Sequence, residues 1–356
     1  MKFRYLVLCI VMIFFFAAGV KAHESFVFED LGGFGGHSGT AEKVVLTKDG
    51  PLVVGESFEL PGKGYTAFLW TTKTGLNRLP YLNKSYPGCA AADVNSSRVA
   101  VGFCFDVYPN VHAVRWESDG RLTDLTPDCP WDCEAYAVNK IGQAVGFWTH
   151  PESRLHEATL WDKDGMTFLG TLGQHSYAYD ISDGGRIVGE SQLKRGGIPR
   201  AVLFTGHRPR VLGTLGGYSS GAIAINEQGF ITGVADLRSG PGRAFLGDSL
   251  RHNLQPLPAP ETVDWAIGLD INEANQIVGQ FTDPSGGNAY YAAFFWQPGM
   301  PEIVDLNNLV RLPDGWVLFD ARGVSEPAEN GGLPYIVGTV LLPDGTSWPY
   351  LLRPTR

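Results

Sequence analysis

The feature that most restricts what this chain can fold into is a repeat. The stretch from Leu269 to Phe281, LDINEANQIVGQF, has weaker copies along most of the sequence. Aligned on the glycine that follows the β-branched run, the copies bring Gly55, Gly102, Gly146, Gly189, Gly233, Gly279 and Gly338 into register, at separations of 47, 44, 43, 44, 46 and 59 residues. A steady period of about 45 residues built from short apolar runs is a signature of propeller blades. Inside a copy, two such runs flank a polar turn, as Asp270-Ile271-Asn272 and Gln276-Ile277-Val278 flank Asn272 to Asn275. The counterparts are Asn139-Lys140-Ile141-Gly142, Ser182-Asp183-Gly184-Gly185 and Asn226-Glu227-Gln228-Gly229. Asn opens a turn by bonding its own backbone, and Gly or Asn three residues on can take the positive φ that a short hairpin loop needs. Asn95-Ser96-Ser97-Arg98 lacks that glycine, Lys48-Asp49-Gly50-Pro51 reads as one residue longer, and the final copy has no such turn. The expectation is seven tight hairpins, five of them regular and the first and last irregular.

A third recurring segment follows each hairpin: Ala67-Phe68-Leu69-Trp70, Ala113-Val114-Arg115-Trp116, Ala158-Thr159-Leu160-Trp161, Ala201-Val202-Leu203-Phe204, Ala244-Phe245-Leu246, Ala293-Phe294-Phe295-Trp296 and Trp348-Pro349-Tyr350-Leu351-Leu352. With an outer strand after it, one unit reads as four antiparallel strands. The fold class is therefore all-β, a seven-bladed β-propeller of four-stranded antiparallel blades. Six or eight blades are the nearest alternatives, whereas a β-solenoid needs shorter, more uniform rungs. Ser25 to Leu31 alternates like a strand and runs into Gly32-Gly33-Phe34-Gly35-Gly36, which resembles the segments that close later repeats, Phe168 to Gly173 and Val211 to Gly217. The last blade would thus take three strands from the C-terminal end, finishing at Leu352, and its fourth from Phe26 to Leu31. That pairing closes the ring and hides a sheet edge.

The combination of Ala-Phe-Leu-Trp, Leu-Gly-Thr-Leu-Gly-Gly and Ala-Ile-Asn-Glu-x-Gly-x-Ile-x-Gly resembles the extracellular HAF-repeat family, named for a His-Ala-Phe tripeptide. The likeness covers nearly the whole chain after residue 22. The tripeptide itself is degenerate: His112-Ala113 keeps the His, while Thr66, Glu157, Arg200 and Arg243 replace it elsewhere. The resemblance implies secretion and repeat architecture, and it lends no catalytic residues. The last repeat departs most, with Leu306 to Asp314 and Glu326 to Leu333 inserted, so its loops are where a property particular to this protein is expected.

Lys2 and Arg4 precede an apolar run from Tyr5 to Val20, and Val20-Lys21-Ala22 resembles a cleavage site before His23. The run is short for a spanning helix, and no second stretch of about 20 apolar residues follows. Cys9 follows Leu8 rather than the small residue expected before a lipidated cysteine. Residues 1–22 read as a signal peptide and 23–356 as one propeller domain, secreted or periplasmic. Cleavage would remove three of the 28 basic side chains, leaving 25 against 37 acidic ones and a net charge of −12. No basic stripe remains to bind nucleic acid. Cys89, Cys104, Cys129 and Cys133 allow three pairings. Hairpin register sets Cys89 opposite Cys104, which leaves Cys129 with Cys133; free thiols, or half a metal site at Cys129-x-x-x-Cys133, are the alternatives.

Several residues are candidates for chemistry. The connection from each outer strand to the next inner one carries a ring: His37, Tyr86, Trp131, His175, Tyr218, Trp265 and Trp316. If the inner strands line a channel, these rings surround its mouth, where aromatic faces stack on sugars and Asp132, Asp264, Gln174, Ser219 and Arg322 orient hydroxyls. The competing interpretation is that each ring packs against the adjoining blade. Asp93, Asp180 and Asp270 occupy matched inner-strand positions. Clustered carboxylates can form an acid and base pair when one pKa is raised, but such residues more often bond backbone amides of the next blade. Asp162-Lys163-Asp164-Gly165 lacks the rest of a calcium loop and reads as a hairpin turn. His23 as a mature N-terminus would be half of a copper brace, an arrangement of another fold. No Ser-His-Asp elbow, phosphate loop or His-Glu-x-x-His helix occurs, and no cofactor or metal site is expected. Two Asn-x-Ser sequons stand at Asn83 and Asn95. The leading expectation is a secreted, non-enzymatic, monomeric binding module that takes an extracellular polysaccharide or protein at the aromatic-rimmed face. A polysaccharide hydrolase or lyase using channel carboxylates, and a purely structural surface protein, are the alternatives.

Overall fold

A computed structural model describes residues 25–59, 64–107, 110–194, 196–238, 240–251, 253–286, 290–328 and 332–355. The proposed signal segment, Cys9 and His23 lie outside these residues. The described chain forms seven four-stranded antiparallel sheets, a seven-bladed β-propeller, with two short 3-10 turns and no α-helix among the described residues. Taking blades in chain order, the inner strands are Gly35–Thr47, Cys89–Val94, Glu134–Val138, Gly173–Ile181, Gly216–Ile225, Trp265–Ile271 and Val317–Val324. Blade 7 takes its outermost strand, Phe26–Asp30, from the other end of the chain, paired from Phe26 opposite Pro354 to Asp30 opposite Tyr350. Ring closure is thus a backbone ladder joining the two ends, as the pattern predicts.

The inserted segment at 306–314 reinforces this closure. Leu306 is fully buried, and the Leu309 carbonyl accepts from the Ser25 and Phe26 amides at 2.9 and 3.2 Å. The Asn307 side chain accepts from the Leu318 amide at 2.8 Å. This loop was expected to carry something particular to the protein; its described contacts latch the closing strand. Glu326, from the second insertion, accepts from the Glu273 amide at 3.0 Å; residues 329–331 lie outside the described residues.

The five middle hairpins share one geometry. In each, the fourth turn residue donates to the first, and the first donates to the residue four positions on, as at Asn139 with Gly142 and Gln143. The fourth residue has positive φ throughout: Gly142, Gly185, Gly229 and Asn275, and also Arg98, at 65°. The copy without a glycine adopts the same turn at the cost of αL strain on an arginine. The first hairpin is shorter than expected, two residues between Thr47 and Gly50. The last is no tight turn, because residues 325–335 link its strands.

The aligned glycines have a reason that the sequence reading left out. Every inner strand carries a β-bulge at one place, so the register steps from Ala41 to Lys43, Ala91 to Asp93, Ala135 to Ala137, Ala178 to Asp180, Ala222 to Ala224, Gly268 to Asp270 and Ala321 to Gly323. Opposite each step stands the aligned glycine. A Cβ there would be driven into the inner-strand carbonyl, that of Glu134 at Gly146 or of Tyr177 at Gly189. A bulge inserts one unpaired residue and re-aims its side chain. Here the inserted residues are Glu42, Ala92, Tyr136, Tyr179, Ile223, Leu269 and Arg322, and all seven line the channel.

Between blades the core is apolar, and the Ala-Phe-Leu-Trp segments supply much of it. Ala67, Ala113, Ala158, Ala201 and Ala293 are fully buried, and Trp70, Trp116, Trp161 and Trp296 are nearly so. Cys89 and Cys104 face each other in register and are bonded, with Cα atoms 4.1 Å apart; Cys129 and Cys133 form the second disulfide at 6.5 Å.

Candidate functional site

A layer of four charged side chains divides the channel. At the residue just past the bulge, blades 1, 2, 4 and 6 carry Lys43, Asp93, Asp180 and Asp270, while blades 3, 5 and 7 carry Ala137, Ala224 and Gly323. Lys43 reaches across blade 7, and its ammonium donates to both Asp270 oxygens at 2.9 Å. Each aspartate accepts from its own next residue and from the following blade. Asp93 takes the Val138 amide at 2.7 Å, Asp180 that of Ile225 at 2.8 Å and Asp270 that of Val324 at 2.9 Å. Three carboxylates matched in sequence are therefore staples between blades, which opposes their use as a free acid and base pair. Burial pushes Asp93 up to about 7 and Asp180 up to about 6, against the pull of Lys43 and the amides. Burial opposes the charge on Lys43, but the three aspartates outweigh it and hold the ammonium above its ordinary value.

Below this layer lies a cavity of about 330 Å³ on the hairpin face. Its polar groups are occupied by blade-to-blade bonds. The turn asparagines donate to the next turn's carbonyl, Asn95 to Asn139 at 2.9 Å, Asn226 to Asn272 at 3.0 Å and Asn272 to Ser325 at 2.8 Å. Carboxylates run the other way: Asp183 accepts from the Lys140 amide, Glu227 from Asp183 and Gly184, and Glu273 from Glu227. Asn95 is buried and committed to these bonds, so its sequon has no free amide for a glycan in the folded chain.

Above the layer, on the face of the outer-to-inner connections, a cavity of about 200 Å³ opens among the bulge residues. One wall is ionic. Arg322 donates to Asp320 at 2.8 Å and to both Glu42 oxygens at 3.1 and 3.2 Å, and Glu56 nearby is held well above the usual carboxylate range by burial and by Glu42. The opposite wall, from blades 3 and 4, is aromatic. Tyr136 and Tyr179 have ring centroids 5.6 Å apart, and Tyr177 lies parallel to Tyr179 at 5.9 Å. Behind them Phe147 stacks on His156 at 4.5 Å. His156 Nδ1 lies 2.9 Å from the Tyr177 hydroxyl. Burial lowers the His156 pKa, which favours the neutral imidazole. Burial also raises the Tyr136 and Tyr179 hydroxyls, and the negative charge of Glu134 and Glu190 adds to the rise. Burial raises both glutamates.

The seven predicted ring residues all lie on the expected connections or at the starts of inner strands, but none is among the residues lining either channel cavity. His175 joins the tyrosine wall from behind, its Nδ1 accepting the His156 backbone N–H at 3.1 Å. Tyr218 is 79% exposed, Tyr86 is 44% exposed, and His37 is exposed. Trp316 packs edge-on against Phe28 at 5.9 Å, Trp131 lies under the Arg154 guanidinium at 4.2 Å, and Trp265 abuts Gly242 of the preceding blade. Among their polar neighbours Arg322 lines the channel; Gln174 is tied to Lys194, Ser219 to Asp236 and Asp264 to Thr282, while the Asp132 carbonyl accepts from Thr149. Asp162 caps a hairpin turn by accepting from the Asp164 amide at 2.8 Å. Sequence reasoning missed Tyr136, Tyr177, Tyr179, Glu134 and Glu190. The available signal was the aligned in-strand glycine, since such a glycine marks a bulge or a close backbone approach. One hairpin back from it, the triplets Ala135-Tyr136-Ala137 and Ala178-Tyr179-Asp180 hold the re-aimed side chain.

No family model matches the sequence, and a search of curated proteins finds no match. Solved structures do match in fold. A prolyl endopeptidase gives a TM-score of 0.55 at 10% identity over 90% of this chain and 51% of that one. The acylaminoacyl peptidase of Pyrococcus horikoshii gives 0.52 at 10% identity over 89% and 51%. A puromycin-hydrolysing peptidase of Mycobacterium tuberculosis gives 0.52 at 14% identity over 84% and 49%. The chain spans about half the length of these proteins, and at such identities what it shares with them is the fold alone.

Proposed function

We propose that this protein is a secreted, non-enzymatic binding module that holds an extracellular glycan in the pocket above the Lys43–Asp270 layer. The observation that carries this reading is the tyrosine wall: two bulges turn Tyr136 and Tyr179 into a pocket whose floor is an ion-paired layer. Sugar rings present flat C–H faces that stack on aromatic walls, and a few polar groups such as Glu42 and Arg322 fix their hydroxyls. The exposed rings of His37, Tyr86 and Tyr218 extend the same face for a longer polymer. The floor carboxylates are bonded to backbone amides, which favours binding over hydrolysis. The apolar run before His23, the two disulfides and the resemblance to extracellular HAF-repeat proteins support an oxidising, extracytoplasmic site of action. The test is calorimetric titration of the protein with a polysaccharide panel, with product analysis of each mixture. Saturable binding that weakens about tenfold in Tyr179→Ala, without release of shorter fragments, is expected. Fragment release would overturn the non-enzymatic part, and a flat response across the panel would overturn the glycan ligand.

A further inference from the structure

The upper pocket is a well with one mouth. All seven blades contribute to its wall, from Glu42 of blade 1 round to Arg322 of blade 7, so no side is left open along which a polymer could lie. Its floor is the charged layer, where the Lys43 ammonium bonds both Asp270 oxygens at 2.9 Å and Asp93 and Asp180 complete the set. The well holds about 200 Å³, less than the roughly 300–1,000 Å³ of pockets that enclose drug-sized ligands. That is room for one pyranose ring against Tyr136 and Tyr179, not for a run of them. We infer that the pocket reads a chain end: it takes the terminal ring of a linear glycan, one that carries no carboxylate or sulfate of its own. This assignment rests on the glycan reading above and narrows it.

An internal sugar unit is linked on both sides, so inserting one into the well would force both neighbours back through the same mouth. A terminal unit has a single neighbour, which leaves towards the exposed face. The terminal ring also differs in chemistry, because it keeps a free hydroxyl where an internal unit carries a glycosidic bond. The floor suits that hydroxyl. The oxygens of Asp93 and Asp180 each accept one backbone amide, at 2.7–2.8 Å, and a carboxylate offers about four lone-pair sites, so each can also accept a hydroxyl proton. The Lys43 ammonium has a donor beyond the two bonds it makes to Asp270. The carboxylates of Glu42, Asp93, Asp180 and Asp270 line the well against two cations, Lys43 and Arg322, which are already ion-paired. An acidic ring would add like charge to that surplus, which is costly.

The experiment is isothermal titration of the intact protein with linear neutral glucans, xylans and mannans, each supplied as a hexamer and as a polymer of known mean length. One protein molecule per chain is expected at both lengths, so that sites per gram rise in proportion as the chains are shortened. Ile223 lines the well, and Ile223→Trp, checked for an unchanged melting curve, should fill it and weaken binding at least about tenfold. Protein bound in proportion to chain length would overturn end recognition and leave the glycan reading standing. Undiminished binding by a folded Ile223→Trp would put the sugar outside the well and overturn the assignment as well. Failure of every sugar in the panel at both lengths would overturn both readings. The stoichiometry is measured on the wild-type protein, so it decides the matter even if the variant does not fold.

Discussion

The two ends of the channel are built from the same seven strands and differ in what their polar groups do. At the hairpin end, asparagines and carboxylates are engaged by the turn of the neighbouring blade. At the connection end, Tyr136 and Tyr179 contact each other through their rings and line an open pocket. The lesson is that position near a propeller axis does not mark a functional group; its partners do. Asp93, Asp180 and Asp270 look like a catalytic cluster by alignment, and each is half of a joint between blades.

The largest test of this contrast strikes the frame beneath both ends. Gly146→Val would drive its side chain into the Glu134 carbonyl, displace the bulge that presents Tyr136, and cost more than about 4 kcal/mol or prevent folding. Urea unfolding measures it, and a variant within about 1 kcal/mol of wild type would show that the bulge does not require glycine. Next, Asp270→Ala strands the Lys43 ammonium and frees the Ile271 and Val324 amides. Removing one partner of a buried pair costs about 3–5 kcal/mol, so a small loss would mean the layer is not a staple.

A pH titration of stability has a smaller and signed effect. Asp93 and Asp180 have folded values, about 7 and about 6, above the unfolded carboxylate value near 4. The native state then binds more protons than the unfolded state inside that window. Stability is greatest at the acid side of it and falls as pH rises towards 7, by at most about 1.4 kcal/mol per unit for one group. Glu42, Glu56, Glu134 and Glu190 are raised too and act in the same direction. Denaturant midpoints that climb from pH 4 to 7 would contradict it. Smallest of all, Glu190→Gln keeps the shape of a side chain that makes no ion pair with a neighbouring blade among the described residues, and stability should stay within about 0.5 kcal/mol of wild type. A loss comparable to that of Asp270→Ala would erase the distinction between the two ends.

Much of the architecture was legible in the sequence. Seven in-register glycines set the blade number, the strand at Phe26 announced ring closure, and the hairpin through Asn95 put Cys89 opposite Cys104. These features are local: a strand alternates with period two, a turn needs particular residues at fixed offsets, and a repeat copies both. The channel wall was not legible by the same means. A bulge shifts every later side chain of its strand by one, so alternation alone points Tyr136 and Tyr179 the wrong way.

What the sequence determined by itself was therefore the unit and its count, because these follow from short-range backbone preference repeated seven times. What only the tertiary structure decided was the fate of the polar groups. Asp93 meets the Val138 amide and Asp180 the Ile225 amide, each 45 residues away, and Asp270 meets Val324 at 54. Whether a carboxylate is a staple or a site depends on which amide or cation the neighbouring blade brings within about 3 Å of it, and that is fixed when the ring closes.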